Sequence, residues 1–224
     1  MTPTMSFDET LRTRRAIRSF LDRTVPDEVL RGVLDDAQST PSNSNTQPWI
    51  AHVVTGTARE KLSGDLIRAH DEARLTLDFP FDGKVYDGAY GQRMRDQAKA
   101  RFEALGVARD DIEGRNAVTR RNLEFYGAPH VILLFMPAFG GARVAADVGM
   151  YAQTLLLALA ARGIGSIAQT TLGFYADTVR ESLGISDDQK LLFGISLGYA
   201  DKDWANQNPR IGRAPIEESV TFHG

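Results

Sequence analysis

Helix-like and strand-like segments alternate along the chain, which predicts an α/β layered domain around a central mixed sheet. Three observations carry the prediction. Apolar residues recur at helical spacing in several long stretches, short apolar runs bounded by Gly or Pro lie between them, and no repeat or low-complexity tract breaks the pattern. At 224 residues, 42% hydrophobic and 25% charged, the chain has the length for one full core, so residues 1–224 are expected to form a single domain.

Taken in order, residues 7–13 and 26–38 read as helices. In the second, Val29, Leu30, Val33, Leu34 and Ala37 share a face, and Pro26 suits a first turn where its missing N–H costs nothing. Residues 49–55 read as a strand closed by Gly56, so the polar segment 40–48 links a helix to a strand. Residues 58–77 look helical, and Asp78-Phe79-Pro80-Phe81-Asp82-Gly83 breaks the pattern. Residues 90–105 and 110–126 are helix-like and rich in charge, so 78–126 is expected to be a partly exposed helical excursion, a type of segment that often carries specificity. Phe79, Phe81, Tyr86 and Tyr90 read equally as pocket lining or as a loop packed on the core.

The run 130–136 between Pro129 and Pro137 is apolar almost throughout, as expected of a strand buried on both faces. A helix follows over 142–162, ended by Gly163 and Gly165, with small residues Ala145, Ala146, Gly149 and Ala152 that would admit another backbone closely. Its most apolar part, 148–161, carries Gln153 and Thr154 and falls short of the roughly 20 residues a bilayer needs. Residues 166–171 and 191–199 read as strands separated by a helix near 177–183, and 215–223 as a last strand or an arm.

A net charge of −3 gives no global basic field, so neither nucleic acid nor an anionic membrane is an expected partner. The absence of Cys excludes disulfides, thiolate metal sites and a Cys nucleophile, and fits a reducing cytoplasm. Residues 1–8 lack a basic start followed by an apolar run, so no signal peptide is expected. His52, His70, His130 and His223 have no metal-ligand spacing, and no Gly-x-Ser-x-Gly elbow, Walker loop or Gly-x-Gly-x-x-Gly fingerprint is present. Redox chemistry in this chain needs a borrowed group.

Two blocks point to one. Arg14-Arg15-Ala16-Ile17-Arg18 sets three guanidiniums within five residues, a fork suited to phosphate because Arg stays charged and binds it bidentately. Pro41-Ser42-Asn43-Ser44-Asn45-Thr46-Gln47-Pro48 offers short hydrogen-bonding side chains stiffened by two prolines, suited to the polar edge of a planar ligand. Alone, the first reads as a solvated face and the second as a turn; paired in this order, they resemble the entry motif of the nitroreductase family of flavin mononucleotide (FMN) enzymes.

The resemblance implies an α+β fold: a three-layer α/β/α sandwich built as an intertwined homodimer, with FMN at the subunit interface and a C-terminal arm, here about 215–224, crossing to the partner. It implies that Arg14, Arg15, Ala16 and Arg18 hold the phosphate, ribityl chain and ring edge, although Ala16 stands where relatives carry Ser or Thr. Pro41, Ser42, Asn43 and Asn45 match positions that cover the flavin ring from the partner subunit, while Gln47, Pro48 and Trp49 fix the loop. Gln169, Thr170 and Thr171 match a place that supplies backbone N–H groups near flavin N5, where many relatives have an acidic residue and a Gly. In the block Asn208-Pro209-Arg210-Ile211-Gly212-Arg213-Ala214-Pro215, Arg213 best matches a further phosphate ligand, with Arg210 next. The implied activity is ping-pong reduction of nitroaromatic, quinone or enone acceptors through flavin N5 by NADPH or NADH, with no side-chain acid, base or nucleophile. The closing segment looks most like the nitrobenzoate-reductase branch. A flavin-dependent dehalogenase, a flavin-fragmenting enzyme and a flavin sensor without turnover remain the alternatives.

Overall fold

A computed structural model of the chain describes residues 4–203 and 210–224. The elements run α1 (Phe7–Thr13), α2 (Asp27–Gln38), β1 (Ile50–Thr55), α3 (Gly56–Asp71), α4 (Gly88–Ala104), α5 (Ile112–Leu123), β2 (His130–Pro137), α6 (Ala142–Ala161), β3 (Gly165–Gln169), α7 (Ala176–Leu183) and β4 (Gln189–Gly198). The strands stand in the order β1-β2-β4-β3. All three pairings are antiparallel, so the mixed sheet expected from sequence is corrected within this chain; the one parallel contact at the sheet's edge is the bridge between Ala16 and Ser166. The reason is physical: a strand covered on both faces is apolar throughout, whichever way its neighbours run.

β2 shows the three layers most directly. Its Val131, Leu133 and Phe135 pack with Leu62 and Leu66 of α3, Leu123 of α5 and Val179 of α7. Ile132, Leu134 and Met136, on the other face, pack with Leu30 and Val33 of α2 and Val148, Tyr151, Leu155 and Leu159 of α6. The period-two alternation of a strand therefore feeds two cores from one run. Trp49 stacks on Tyr151 with ring centroids 4.9 Å apart, and its indole N–H donates to Gln38 Oε1 at 3.0 Å. That explains why Pro48 and Trp49 are buried at the end of a polar segment.

At 20 residues and mean hydropathy 1.5, α6 is long and apolar enough to cross a membrane by length and composition, yet its apolar face is spent on the second core. Ala146 and Gly149 are exposed, whereas Ala152 is buried. α4 buries Gly91 alone, and α5 buries Val118 and Leu123, whereas Leu123, Phe125 and Tyr126 at the end of the 78–126 segment belong to the first core. α3 ends six residues before the sequence suggests. Ala73 takes a left-handed φ of 53°, after which Thr76 bridges Tyr175 and Asp78 turns inward to Arg180. Residues 210–224 are exposed, with one short turn at Ile216–Glu218 whose Glu218 pairs with Arg93 of α4. No strand forms over 215–224.

His130, 3% exposed, accepts a hydrogen bond at Nε2 from the Val25 N–H at 2.8 Å, which keeps the ring neutral, and its Nδ1 is buried without a partner. Burial pushes its pKa down, with Asp27 opposing weakly. The unfolded chain therefore binds the proton first, and stability is lost as pH falls from about 6.5 toward the lower folded value. The urea midpoint of the wild type is expected to fall over that window, and His130→Gln to lose this part of the pH dependence.

Candidate functional site

The arginine run lies along the free edge of β3. Ala16 bridges Ser166, the Ile17 N–H donates to the Ser166 carbonyl at 3.0 Å, and the Leu21 N–H donates to the Tyr199 carbonyl at 2.8 Å. Ile17 and Phe20 turn into the core while Arg14, Arg15 and Arg18 stay partly exposed. Apolar residues inside the basic run thus act as anchors that set the guanidiniums on the outer side.

These arginines open onto a cavity of about 710 Å³. Arg14, Arg15, Ala16 and Arg18 line it together with Arg210 and Arg213 from the C-terminal segment, Ile167 and Ala168 of β3, Leu156 of α6 and Gln97 of α4. With Arg12 included, six lining residues are arginines and none is acidic. Like charges gathered in this way repel one another, so the composition of the lining favours an anion over a cation. Burial lowers the pKa of Arg18, the Tyr126 hydroxyl opposes the shift, and Arg101 and Arg15 add to it. The Arg18 Nε is buried with no hydrogen-bond partner.

The proline-bracketed segment stands elsewhere. Ser44, Asn45 and Gln47 have left-handed φ values of 50°, 57° and 47°, a costly conformation outside Gly and Asn. Ser42 Oγ accepts from the Gln47 N–H at 2.9 Å, and both oxygens of the buried Asp147 accept from the Asn43 N–H at 3.3 Å. The loop is thereby held rigid, with Pro41, Asn43 and Asn45 exposed. Asp147 and the cavity-lining Leu156 are nine positions apart on α6, about 13 Å and half a revolution. Pro41, Ser42, Asn43 and Asn45 therefore do not line their own chain's cavity.

In the third block Gln169 faces inward. Its amide donates to Asn122 O at 2.8 Å and Oδ1 at 2.6 Å, and its Oε1 accepts from Ser196. Thr170 is exposed, Thr171 is half-buried, and both sit in the short turn Thr170–Phe174. That turn lies so close on β4 that a Cβ at Gly173 would stand 2.6 Å from the Leu192 carbonyl oxygen. Asn208 and Pro209 lie outside the described residues. Phe79 packs on the second core and Phe81 against Phe174, while Tyr86 and Tyr90 are exposed. Sequence reasoning did not single out Gln97 in the lining, nor Arg101 and Tyr126 behind Arg18; an arginine on a charged helix and a buried tyrosine carry no local mark of a site.

Residues 11–199 match the family model described as the nitroreductase family. The chain belongs to the nitroreductase family. Among curated relatives, it is 47% identical over 212 residues to "Nitroreductase NfnB" of Mycolicibacterium smegmatis, covering 95% of this chain and 90% of the relative. It is 33% identical over 221 residues to a 4-nitrobenzoate reductase of Nocardioides sp., covering 97% and 90%. Among solved structures, the FMN-dependent NfnB of Mycobacterium smegmatis in complex with NADPH superposes with a TM-score of 0.94 at 46% identity over 97% of each chain. The layered α+β fold implied by the arginine and proline blocks is the one this family has.

Proposed function

We propose that this protein is an FMN-dependent NADPH- or NADH-oxidising reductase of nitroaromatic compounds, active as a homodimer in the cytoplasm. The observation that carries the reading is the cavity framed by six arginines and no carboxylate, in a chain close to an FMN-dependent relative that binds NADPH. The residues present fit a phosphate-bearing cofactor: the donors are guanidiniums, and the Arg18 Nε is buried without an acceptor. Arg14, Arg15 and Arg18 would hold the phosphate, with Arg213 and Arg210 closing over it from the C-terminal segment. Ala16 contributes backbone alone. When bound, FMN supplies hydride and electron transfer, for which no side chain of this protein is an equivalent.

The rest is positioning. Thr170 and Thr171, with Gln169 locked behind them, hold a tight turn whose backbone N–H groups would stabilise negative charge on a bound flavin. Pro41, Ser42, Asn43 and Asn45, on the far side of α6, cover the ring in the partner's cavity. The exposed Ala146 and Gly149 on α6 suit close packing between subunits, and the arm 215–224 has Val220 and Phe222 free to pack on the partner.

Purified protein is expected to be yellow, to bleach anaerobically on adding NADPH, and to recover its colour on adding 4-nitrobenzoate. Bound flavin that NADPH and NADH leave unbleached would identify a sensor. Turnover of a halotyrosine with no nitro reduction would identify a dehalogenase.

A further inference from the structure

Behind the cavity, two guanidiniums converge on one phenol. Arg101 of α4 donates from Nη2 to the Tyr126 hydroxyl at 3.1 Å, and Arg18, which lines the cavity, interacts with the same hydroxyl. The Nε atoms of Arg18 and Arg101 are both buried without partners. Neither arginine forms an ion pair with a carboxylate among the described residues. Two half-buried cations that share one neutral acceptor, each with a buried Nε left unpartnered, call for an anion.

The backbone strengthens the point. Phe125, Tyr126 and Gly127 have φ values of 57°, 55° and 78°, so two aromatic residues in succession occupy the left-handed region. Strain of this kind persists where the surroundings over-determine a conformation. Here it puts a 5% exposed Tyr126 against both Arg101 of α4 and the cavity-lining Arg18. One turn before Arg101, Gln97 reaches the cavity itself, so α4 touches the site at one residue and supports it at another.

We propose that Arg101 and Tyr126 are positioning residues for the anion site: they fix the Arg18 guanidinium at the cavity and tie docking of α4 to occupancy of that site by a phosphate group. The inference rests on the proposed binding of a phosphate-bearing cofactor. The dependence is reciprocal by thermodynamic necessity: an anion that tightens α4 is itself held tighter by a docked α4.

The test is FMN titration of the full chain, alongside tryptic cleavage within α4 at Arg93, Arg95 and Lys99 with and without ligand. Arg101→Met and Tyr126→Phe are each expected to weaken FMN about tenfold, the scale of one lost hydrogen bond to a charged group. Both should also abolish the slowing of cleavage by FMN, and Arg101→Lys should recover most of each property. Tyr126→Phe keeps the ring and its packing, so a loss there is not a folding defect. Unchanged FMN affinity in Arg101→Met and Tyr126→Phe overturns the inference, as does an Arg101→Lys protein no better than Arg101→Met. Repeating the cleavage with inorganic phosphate separates the two readings. Slower cleavage of α4 by phosphate in a wild type that takes up no FMN keeps this inference and sinks the proposed cofactor; no effect of either ligand overturns both.

Discussion

Replacing Arg14 and Arg18 together by Ala is expected to yield a folded, colourless protein whose FMN affinity has fallen at least about a hundredfold. Each lost hydrogen bond from a guanidinium to phosphate removes about 1.5–3 kcal/mol, and two exceed the roughly 2.7 kcal/mol that a hundredfold change requires. The fold should survive because the anchors of this segment are Ile17, Phe20 and the backbone contacts to Ser166 and Tyr199, none of which changes. Arg12→Ala is the control. Its side chain is 75% exposed and stands 3.9 Å from Asp8, so the same loss of charge on the same rim should cost little. Equilibrium dialysis with FMN measures all three, and a double variant that keeps stoichiometric flavin would refute the phosphate role of the run.

The largest expected loss of stability lies away from the cavity. Arg180 on α7 and Asp78 at the foot of the excursion are 8% and 5% exposed and pair at 2.6 Å. Asp78 also accepts from the Leu191 N–H at 2.7 Å and lies 3.5 Å from Lys190. Burial alone would raise the Asp78 pKa, but the hydrogen bonds from Arg180 and Leu191, with the nearby cations, outweigh it and hold the pKa below the usual carboxylate value. Its contribution is therefore present above about pH 4 and is lost as pH falls through the folded value. Arg180→Met leaves that carboxylate buried without its main partner and should cost about 3–5 kcal/mol in chemical denaturation at pH 7. Asp78→Asn should cost less, since the amide oxygen still accepts from Leu191 and Arg180 keeps Asp177 at its side. Equal stability of wild type and Arg180→Met would show that the pair does not hold the excursion to the core.

Legibility in the sequence followed the range of the signal. β2 and α6 were readable because a strand covered on both faces and a helix of uniform apolarity announce themselves locally. The arginine run and the proline-bracketed segment stood out because each concentrates rare chemistry in a few residues. Strand direction was not, since β2 and β4 read the same either way. The end of α3 was misjudged because Asp78, a helix-compatible residue, was claimed by Arg180 a hundred residues later. Gln169 was matched to a place that supplies backbone N–H groups, and nothing local showed that its side chain, at the end of β3, turns inward to Asn122 and Ser196. Arg101 and Tyr126 were invisible for the same reason: what distinguishes them is the company they keep across the fold.

The half revolution of α6 between Asp147 and Leu156 has a consequence for how this catalyst can fail. In the proposed homodimer, a subunit that grips with one flank and shelters its partner with the other would have no complete centre of its own, so reaction competence would belong to pairs. Under strong dilution output would decline faster than the amount of polypeptide, and two differently crippled alleles could rescue one another by hybridising.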